Sequence, residues 1–213
     1  MAKNLHYILE DYFSNKDLNE QEKKKVNDEI INCILIAQSP VITRPFTSYS
    51  KNLPKFLKLT NHSFDLETLF KEQLKGKRFI ELGPGARPLA DWAFQYGISE
   101  YIGVEPFNPE ITKENLSKDP RVKLEKDKEA LEFLLSQEDE SAIVLSMGVL
   151  CEELFRFNND NYFRFIIKEI YRITPKNAPS IHLIGPINHH LNYFIENSFK
   201  PVTDLKSNMI YIK

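Results

Sequence analysis

From Lys77 onward, short apolar segments of strand length alternate with longer segments that have the periodicity of amphipathic helices. A strand, a helix and a second strand in succession form a βαβ unit, whose two strands run parallel. The alternation therefore predicts a mostly parallel sheet with helices on both faces. The predicted strands are RFIEL, EYIGVEP, RVKLEKD, SAIVLS and SIHLIGP.

The C-terminal segment departs from this alternation. Two strand-like stretches, KPVTDL and NMIYIK, follow the predicted helix NHHLNYFIENSF and are separated only by Lys206 and Ser207. So short a link joins antiparallel strands, because a parallel pair needs a crossover of about a dozen residues or more. The sequence thus predicts an α/β fold with a seven-stranded, mostly parallel sheet whose last strand is antiparallel.

The N-terminal part has a helical pattern, and we predict that residues 1–75 form a cap or lid on a domain of residues 76–213. The stretch LHYILEDYF has apolar residues at helical spacing. A second helix is predicted to begin at Asn19, with Glu22 as its capping-box partner, since a carboxylate at this position can accept from the N-cap amide.

A basic and aromatic segment follows the second predicted helix of this cap. Its residues Arg44, Tyr49 and Lys51 are candidate contacts to an anionic or aromatic substrate, provided that the cap covers the carboxyl edge of the sheet. The alternative is an ordinary solvated connection, which the prolines and lysines of the segment favour.

The composition restricts the class of protein. A chain of 213 residues with 42% hydrophobic and 27% charged residues can bury one substantial core and is typical of globular proteins. A net charge of −2 gives no electrostatic signature for a nucleic acid or membrane partner. Cys33 and Cys151 are too far apart for a metal-ligand motif, which predicts no metal site and a reducing compartment. Without a signal peptide or an apolar run of bilayer length, the expected location is the cytoplasm.

A glycine-containing turn, ELGPG from Glu81 to Gly85, follows the first predicted strand. In an open α/β sheet, ligands bind outside the carboxyl ends of the strands, where the strand order reverses. Glycines there permit a tight turn and the close approach of a ligand. Glu105 ends the second strand about 20 residues after Gly85, the separation at which an acidic residue binds the ribose of a nucleotide cofactor.

Asp127, at the end of the third predicted strand, is placed to accept a hydrogen bond from the exocyclic amine of an adenine. Structural interpretations exist for each of these residues: the glycines can serve only a tight connection, Glu105 can be a solvated strand end, and Asp127 can be the N-cap of the next helix. The glycine turn, the spacing and the strand placement together favour a cofactor site.

A dinucleotide-binding turn has the pattern G-x-G-x-x-G, in which the third glycine allows the helix to pack closely on the strand. Pro88 occupies that third position here. This substitution counts against an NAD-dependent oxidoreductase, which we rank below the alternatives given next.

Residues 76–213 resemble the class I S-adenosylmethionine-dependent methyltransferases. The family's first motif, an acidic residue followed by x-Gly-x-Gly, is matched by ELGPG, and Glu105 and Asp127 match the acidic residues after the second and third strands. The stretch AIVLSMGVLCEEL is similar to the fourth-strand region of the branch that acts on small molecules. The antiparallel final hairpin is a hallmark of this fold.

The resemblance implies S-adenosylmethionine as cofactor and S-adenosylhomocysteine as product. Gly83, Pro84 and Gly85 would pass under the methionine moiety, and Glu81 would contact its amino group directly or through water. The other positions implied for the cofactor are Glu105 and the adjoining Pro106 at the ribose, Asp127 at the adenine, and Ser146, Met147 and Gly148 near the sulfonium.

Arg87 departs from the family pattern, which has a glycine or another small residue at this position. Its guanidinium could pair with the methionine carboxylate or point to solvent. A cation in the first turn of a helix is mildly unfavourable, which slightly favours a specific partner.

The acceptor is predicted to be a small molecule. The tetrapeptide Asn/Asp-Pro-Pro-aromatic, which marks methylation of certain nucleic-acid bases and of glutamine, is replaced by SMGV after the fourth strand. His189 and His190 follow the fifth strand and are candidate general bases, because histidine titrates near neutral pH. They can equally form a solvent-facing helix turn.

Alternative functions are another transfer from the same cofactor, such as aminopropyl transfer, and a catalytically silent binding module. The oligomeric state is not indicated.

Overall fold

A computed structural model describes residues 3–37, 66–86, 88–107, 109–147, 160–183, 188–201 and 208–213. The strands are β1 Arg78–Leu82, β2 Glu100–Val104, β3 Val122–Glu125, β4 Ala142–Met147, β5 Pro179–Leu183, β6 Lys200–Pro201 and β7 Asn208–Ile212. The helices are α1 Leu5–Phe13, α2 Glu20–Ala37, α3 Leu66–Gln73, α4 Ala90–Phe94, α5 Pro109–Asn115, α6 Ala130–Leu135, α7 Asp160–Ile173 and α8 Asn188–Glu196.

The seven strands form one sheet in the order β3-β2-β1-β4-β5-β7-β6. Strands β1 to β5 pair in parallel with their neighbours, while β7 runs antiparallel to both β5 and β6. The predicted α/β fold, with its antiparallel last strand, is confirmed. Because β1 lies between β2 and β4, the strand order reverses at β1, and the carboxyl end of this strand faces a crevice.

The central strands of the sheet are buried on both faces. Alternate residues of β1 belong to two separate cores: Ile80 and Leu82 pack with helices α1, α2, α6, α7 and α8, while Phe79 packs with α3 and α4. Strands that are covered on both sides are apolar at successive positions rather than at every second one. This is why the strands appear in the sequence as short continuous apolar runs.

The two N-terminal helices pack along α7 on one side of the sheet. The guanidinium of Arg164 lies 4.0 Å from the ring centre of Phe13 and forms an ion pair with Glu10. Asn161 Nδ2 donates to Glu29 Oε1 at 3.0 Å and thereby fixes α2. Helix α3 packs on the opposite face of the sheet.

The division at residue 75 and the role of the first 75 residues as a lid stay predictions. The candidate substrate contacts Arg44, Tyr49 and Lys51 lie outside the described residues. No helix in the described ranges is both long and apolar enough to cross a membrane.

The predicted capping box at the start of α2 is confirmed. Asn19 Oδ1 accepts from the amide of Glu22 at 3.0 Å, and Glu22 Oε2 accepts from the amide of Asn19 at 3.1 Å. The two bonds satisfy amide groups that have no partner within the helix.

We predict that Asn19→Ala lowers the free energy of unfolding by about 1 kcal/mol, because the side-chain half of the capping box is lost. The measurement is a urea titration followed by circular dichroism. Lys24→Ala is the matched control, since Lys24 is exposed on the same helix and alanine favours helix. Equal stability of the two variants would contradict the role of the cap.

Candidate functional site

The turn after β1 lies at the crevice where the strand order reverses. Gly83 and Gly85 have φ values of +65° and +55°, a region that residues with side chains rarely adopt. The amide of Gly83 donates to the carbonyl of Val104 at 2.9 Å, so the turn stays attached to β2. A Cβ added at Gly85 would meet no atom of the described residues within 4 Å. Space for a ligand therefore borders the backbone of Gly85.

Glu105 holds this turn from the end of β2. Its side chain is 7% exposed. Its Oε2 accepts from the amide of Gly85 at 3.2 Å and its Oε1 accepts from the amide of Phe107 at 3.3 Å. The two features that the sequence places about 20 residues apart are thus in direct contact. A carboxylate has about four acceptor positions, so backbone bonds of this kind are compatible with hydrogen bonds to ribose hydroxyls.

Thr112 holds the same glycine from the other side. Its hydroxyl, buried on α5, donates to the carbonyl of Gly85 at 2.8 Å. Both peptide groups of Gly85 are therefore fixed by side chains, one from the end of β2 and one from the following helix. The sequence interpretation missed Thr112, because a single threonine in a short helix has no distinguishing spacing.

Glu81 lies on β1 with its side chain fully buried. Its Oε2 accepts two hydrogen bonds, from the amide of Leu89 at 2.8 Å and from the hydroxyl of Tyr101 at 2.6 Å. Its Oε1 has no hydrogen-bond partner within the described ranges. Burial raises the pKa of Glu81 to about 7, although the bonds from Tyr101 and Leu89 act in the opposite direction. The neutral form of this carboxyl is therefore well populated near neutral pH.

Gly103 lies between the turn and the ring of Tyr101. Gly103 pairs with Glu81 across β1 and β2. A Cβ at this position would lie 3.1 Å from Pro84 Cγ and 3.4 Å from Tyr101 Cε1. The absence of a side chain lets Pro84 lie against the strand, and the ring of Tyr101 passes the same position on its way to the carboxyl group. Tyr101 was also missed by the sequence interpretation, which treats it as one apolar residue of a strand.

A chain of hydrogen bonds between side chains joins the neighbouring strands β4 and β5. Ser180 Oγ donates to the carbonyl of Val144 at 3.2 Å and lies 2.6 Å from His182 Nε2, while His182 Nδ1 lies 2.8 Å from Ser146 Oγ. Both ring nitrogens of His182 are thus hydrogen-bonded to serine hydroxyls, and which partner donates in each bond depends on the tautomer of the ring. Burial lowers the pKa of His182 to about 3, so its ring is neutral at physiological pH.

Ser146 was predicted to lie near the sulfonium, and its side chain is fully buried with its hydroxyl bonded to His182. Proximity of its backbone to a cofactor stays a prediction. His182 was missed, although a histidine inside an otherwise apolar strand is a detectable signal. Met147 ends β4, and Gly148 lies outside the described residues.

Asp127 is exposed near the end of β3, and its amide donates to Glu125 Oε1 at 2.9 Å. A contact with adenine stays a prediction. The alternative interpretation as a helix N-cap is wrong, because α6 begins later than expected and its N-cap is Glu129. The carboxylate of Glu129 accepts from the amides of Leu131 and Glu132.

The remaining predicted site residues are placed as follows. Pro106 is half-buried after Glu105 and is followed by Phe107, whose side chain is 47% exposed at the same edge. His189 and His190 lie in the first turn of α8, and their side chains are outside the described part of the structure. Arg87 also lies outside the described residues. The roles of these residues stay predictions.

Glu81→Gln should remove one pH-dependent contribution to stability. The pKa of Glu81 is about 7 in the folded protein against an ordinary value of 4.5. The folded state therefore binds a proton on the Glu81 carboxyl more tightly than the unfolded state does. The resulting stabilisation is present at low pH and is lost as the pH rises through about 7. We expect the stability of the wild type relative to the variant to fall by up to about 3 kcal/mol between about pH 5 and about pH 8.

Urea titrations of both proteins over this pH range provide the measurement. Parallel pH dependences would mean that Glu81 remains ionised throughout and would contradict the expected shift.

No family model and no curated protein matches the sequence. Solved structures do match. A candidate S-adenosylmethionine-dependent methyltransferase from Methanococcus maripaludis superposes with a TM-score of 0.54 at 12% identity, over 93% of this chain and 95% of that one. A TehB-like S-adenosylmethionine-dependent methyltransferase from Corynebacterium glutamicum gives 0.50 at 10% identity, over 76% and 94%. A candidate sarcosine dimethylglycine methyltransferase from Galdieria sulphuraria gives 0.52 at 13% identity, over 72% and 63%. The chain therefore has the fold of the class I S-adenosylmethionine-dependent methyltransferases.

Proposed function

We propose that this protein is an S-adenosylmethionine-dependent methyltransferase that acts on a small molecule. The observation that carries the proposal is the contact of Glu105 Oε2 with the amide of Gly85, at 3.2 Å, in the crevice beside β1. It joins an acidic residue at the end of β2 to a glycine turn at the end of β1. This is the arrangement that binds the ribose and the adjacent part of a nucleotide-like cofactor in open α/β sheets.

The described residues fit this cofactor. The space beside Gly85 leaves its backbone open to the approach of the methionine moiety. Glu105 offers carboxylate oxygens for the ribose hydroxyls. Glu81 Oε1, which has no hydrogen-bond partner among the described residues, offers an acceptor for a cationic amino group, directly or through water.

When bound, the cofactor supplies a methyl group that is activated by the positive charge of its sulfonium. The protein then needs chiefly to hold the acceptor in line with that methyl group and to exclude competing water. His189 and His190, which follow β5 at the same edge of the sheet, are our candidate bases for acceptors that must lose a proton.

A small-molecule acceptor is supported by two observations. The net charge of −2 provides no general attraction for a nucleic acid. In addition, the candidate enzyme from Galdieria sulphuraria, which shares this fold, is described as acting on sarcosine and dimethylglycine, which are small amino acids.

A catalytically silent module that binds the same cofactor is the second candidate. Two polar side chains at the carboxyl ends of β4 and β5, Ser146 and His182, are buried and hydrogen-bonded to each other. A histidine with a pKa of about 3 is a weak base at neutral pH. This pair therefore gives no support to catalysis by a base on these two strands.

Isothermal titration calorimetry with S-adenosylmethionine, S-adenosylhomocysteine and NAD tests the cofactor. We expect binding of the first two with dissociation constants on the order of micromolar and no binding of NAD. Glu105→Gln should weaken binding by about 10-fold to 100-fold, because a hydrogen bond to a charged group contributes about 1.5–3 kcal/mol.

Glu100→Gln is the matched control. Glu100 opens the same strand at its amino end, where it forms ion pairs with Arg78 and Lys123 away from the crevice. The Glu100→Gln variant should bind S-adenosylmethionine and S-adenosylhomocysteine with the same affinity as the wild type. The proposal fails if neither sulfur compound binds, or if the two variants lose affinity equally.

Turnover separates the enzyme from the silent module. Incubation with S-adenosylmethionine and a panel of small amines, carboxylates and thiols, followed by mass spectrometry, should show an acceptor that gains one methyl group. An acceptor that gains an aminopropyl group instead would identify the protein as an aminopropyl transferase that uses the same cofactor. Tight binding without any product on a broad panel would favour the silent module.

A further inference from the structure

Two buried carboxylates, Glu81 and Glu129, each contact a tyrosine hydroxyl but are satisfied differently. Glu129 accepts hydrogen bonds on both oxygens: the amide of Glu132 donates to Oε1 at 2.6 Å, and the amide of Leu131 and the hydroxyl of Tyr162 donate to Oε2. Glu81 accepts both of its bonds on Oε2, and Oε1 has no partner in the described part of the chain. Glu129 is thus accounted for as a helix cap, whereas Glu81 has one oxygen without a hydrogen-bond partner among the described residues.

We propose that Glu81 exchanges its proton for the positive charge of the cofactor: the carboxyl holds a proton on Oε1 in the free protein and releases it to solvent when the cationic amino group binds at the glycine turn, with Tyr101 positioning the carboxyl. This inference rests on the proposed function, because the cation is the amino group of S-adenosylmethionine or S-adenosylhomocysteine.

The hydrogen bonds determine which oxygen carries the proton. Oε2 already accepts from the hydroxyl of Tyr101 and from the amide of Leu89. A proton on this oxygen would have to displace one of these donors. Oε1 is therefore the atom that is protonated, and the two bonds to Oε2 prevent the carboxyl group from rotating. Tyr101 acts on the cofactor only through Glu81, which makes it a positioning residue.

The groups around Glu81 favour the neutral form in the absence of a cation. The surrounding protein removes water from the carboxyl, and the negative charge of Glu105 at the end of β2 acts in the same direction. Strand β4 places Leu145 opposite Glu81, and Asp91 in the first turn of α4 is exposed. Arg87 lies outside the described residues.

A cation at the turn reverses this balance. A buried carboxylate without a counter-charge is costly, and either a proton or a nearby cation relieves the cost. Because the effect is electrostatic, a bridging water between the amino group and Oε1 suffices. The exchange is balanced: the neutral carboxyl and the ammonium group combine into an ion pair, and one proton passes to the buffer.

The exchange makes cofactor binding depend on pH in a defined direction. Burial raises the pKa of Glu81 to about 7 in the free protein. Below this pH, binding must release close to one proton, and affinity increases by up to about tenfold per pH unit as the pH rises. Above it, the carboxyl is already ionised, so the release falls towards zero and the affinity levels off.

Titration calorimetry with S-adenosylhomocysteine measures this release directly. Binding enthalpies are recorded between about pH 5.5 and about pH 7.5, a range in which an α-amino group remains mostly protonated. Each pH is repeated in buffers with different ionisation enthalpies, and the dependence on buffer gives the number of protons released. We expect close to one proton at the lowest pH and a decline with a midpoint near the pKa of Glu81, about 7.

Three variants assign the proton. Glu81→Gln should still bind S-adenosylhomocysteine but lose the proton release and its pH dependence, because glutamine cannot ionise. Tyr101→Phe removes a hydrogen bond that lowers the pKa of Glu81, so the midpoint should move to higher pH with the release retained. Tyr96→Phe is the matched control, since Tyr96 packs on Trp92 and Phe70 in the same core, and its midpoint should stay unchanged.

The outcomes separate the two proposals. If the wild type binds S-adenosylhomocysteine without releasing a proton, or if Glu81→Gln releases as many protons as the wild type, the exchange is wrong while the proposed function stands. If Glu81→Gln does not fold, an unshifted midpoint in Tyr101→Phe overturns the inference by itself. Absence of binding by the wild type at every pH overturns the proposed function instead.

Discussion

The position of β1 between two parallel neighbours is the constraint on which the rest of the structure depends. Its pairing with β2 on one side and β4 on the other sends the chain in opposite directions across the sheet and opens a crevice at the carboxyl end of β1. The glycine turn has to leave β1 within this crevice. Glu105 from β2 and Thr112 from α5 can then hold the two peptide groups of Gly85.

The features that could be predicted from the sequence are those with a local or regularly spaced signal. Strand-length apolar runs, the short link before β7 and the glycine turn followed by Glu105 all have this property, and the predicted fold is confirmed. The roles of Tyr101, Thr112 and His182 could not be predicted. Each depends on a side-chain contact between elements whose relative placement is set by the whole sheet. The late start of α6 was likewise missed, because helix boundaries depend on which residue provides the cap.

Buried polar groups in this fold serve two distinct purposes. In the chain from Ser146 through His182 and Ser180 to Val144, both imidazole nitrogens have hydrogen-bond partners, and the imidazole contributes no charge at physiological pH. It ties β4 to β5 without creating a reactive group. The buried carboxyl of Glu81 has one oxygen without a partner in the described part of the chain, and its charge state responds to its surroundings. A polar group that the fold leaves incompletely satisfied is the better indicator of a binding role.

Gly103 has a consequence for how this protein can vary. A single methyl group there would press on Pro84 in the turn and would also touch the ring of Tyr101 at van der Waals distance. The turn that borders the ligand space and the hydroxyl that orients Glu81 are therefore joined through one small volume on β2. Substitutions at positions 84, 101 and 103 have to be compatible with one another, so that related chains should inherit these three residues as a set rather than one by one.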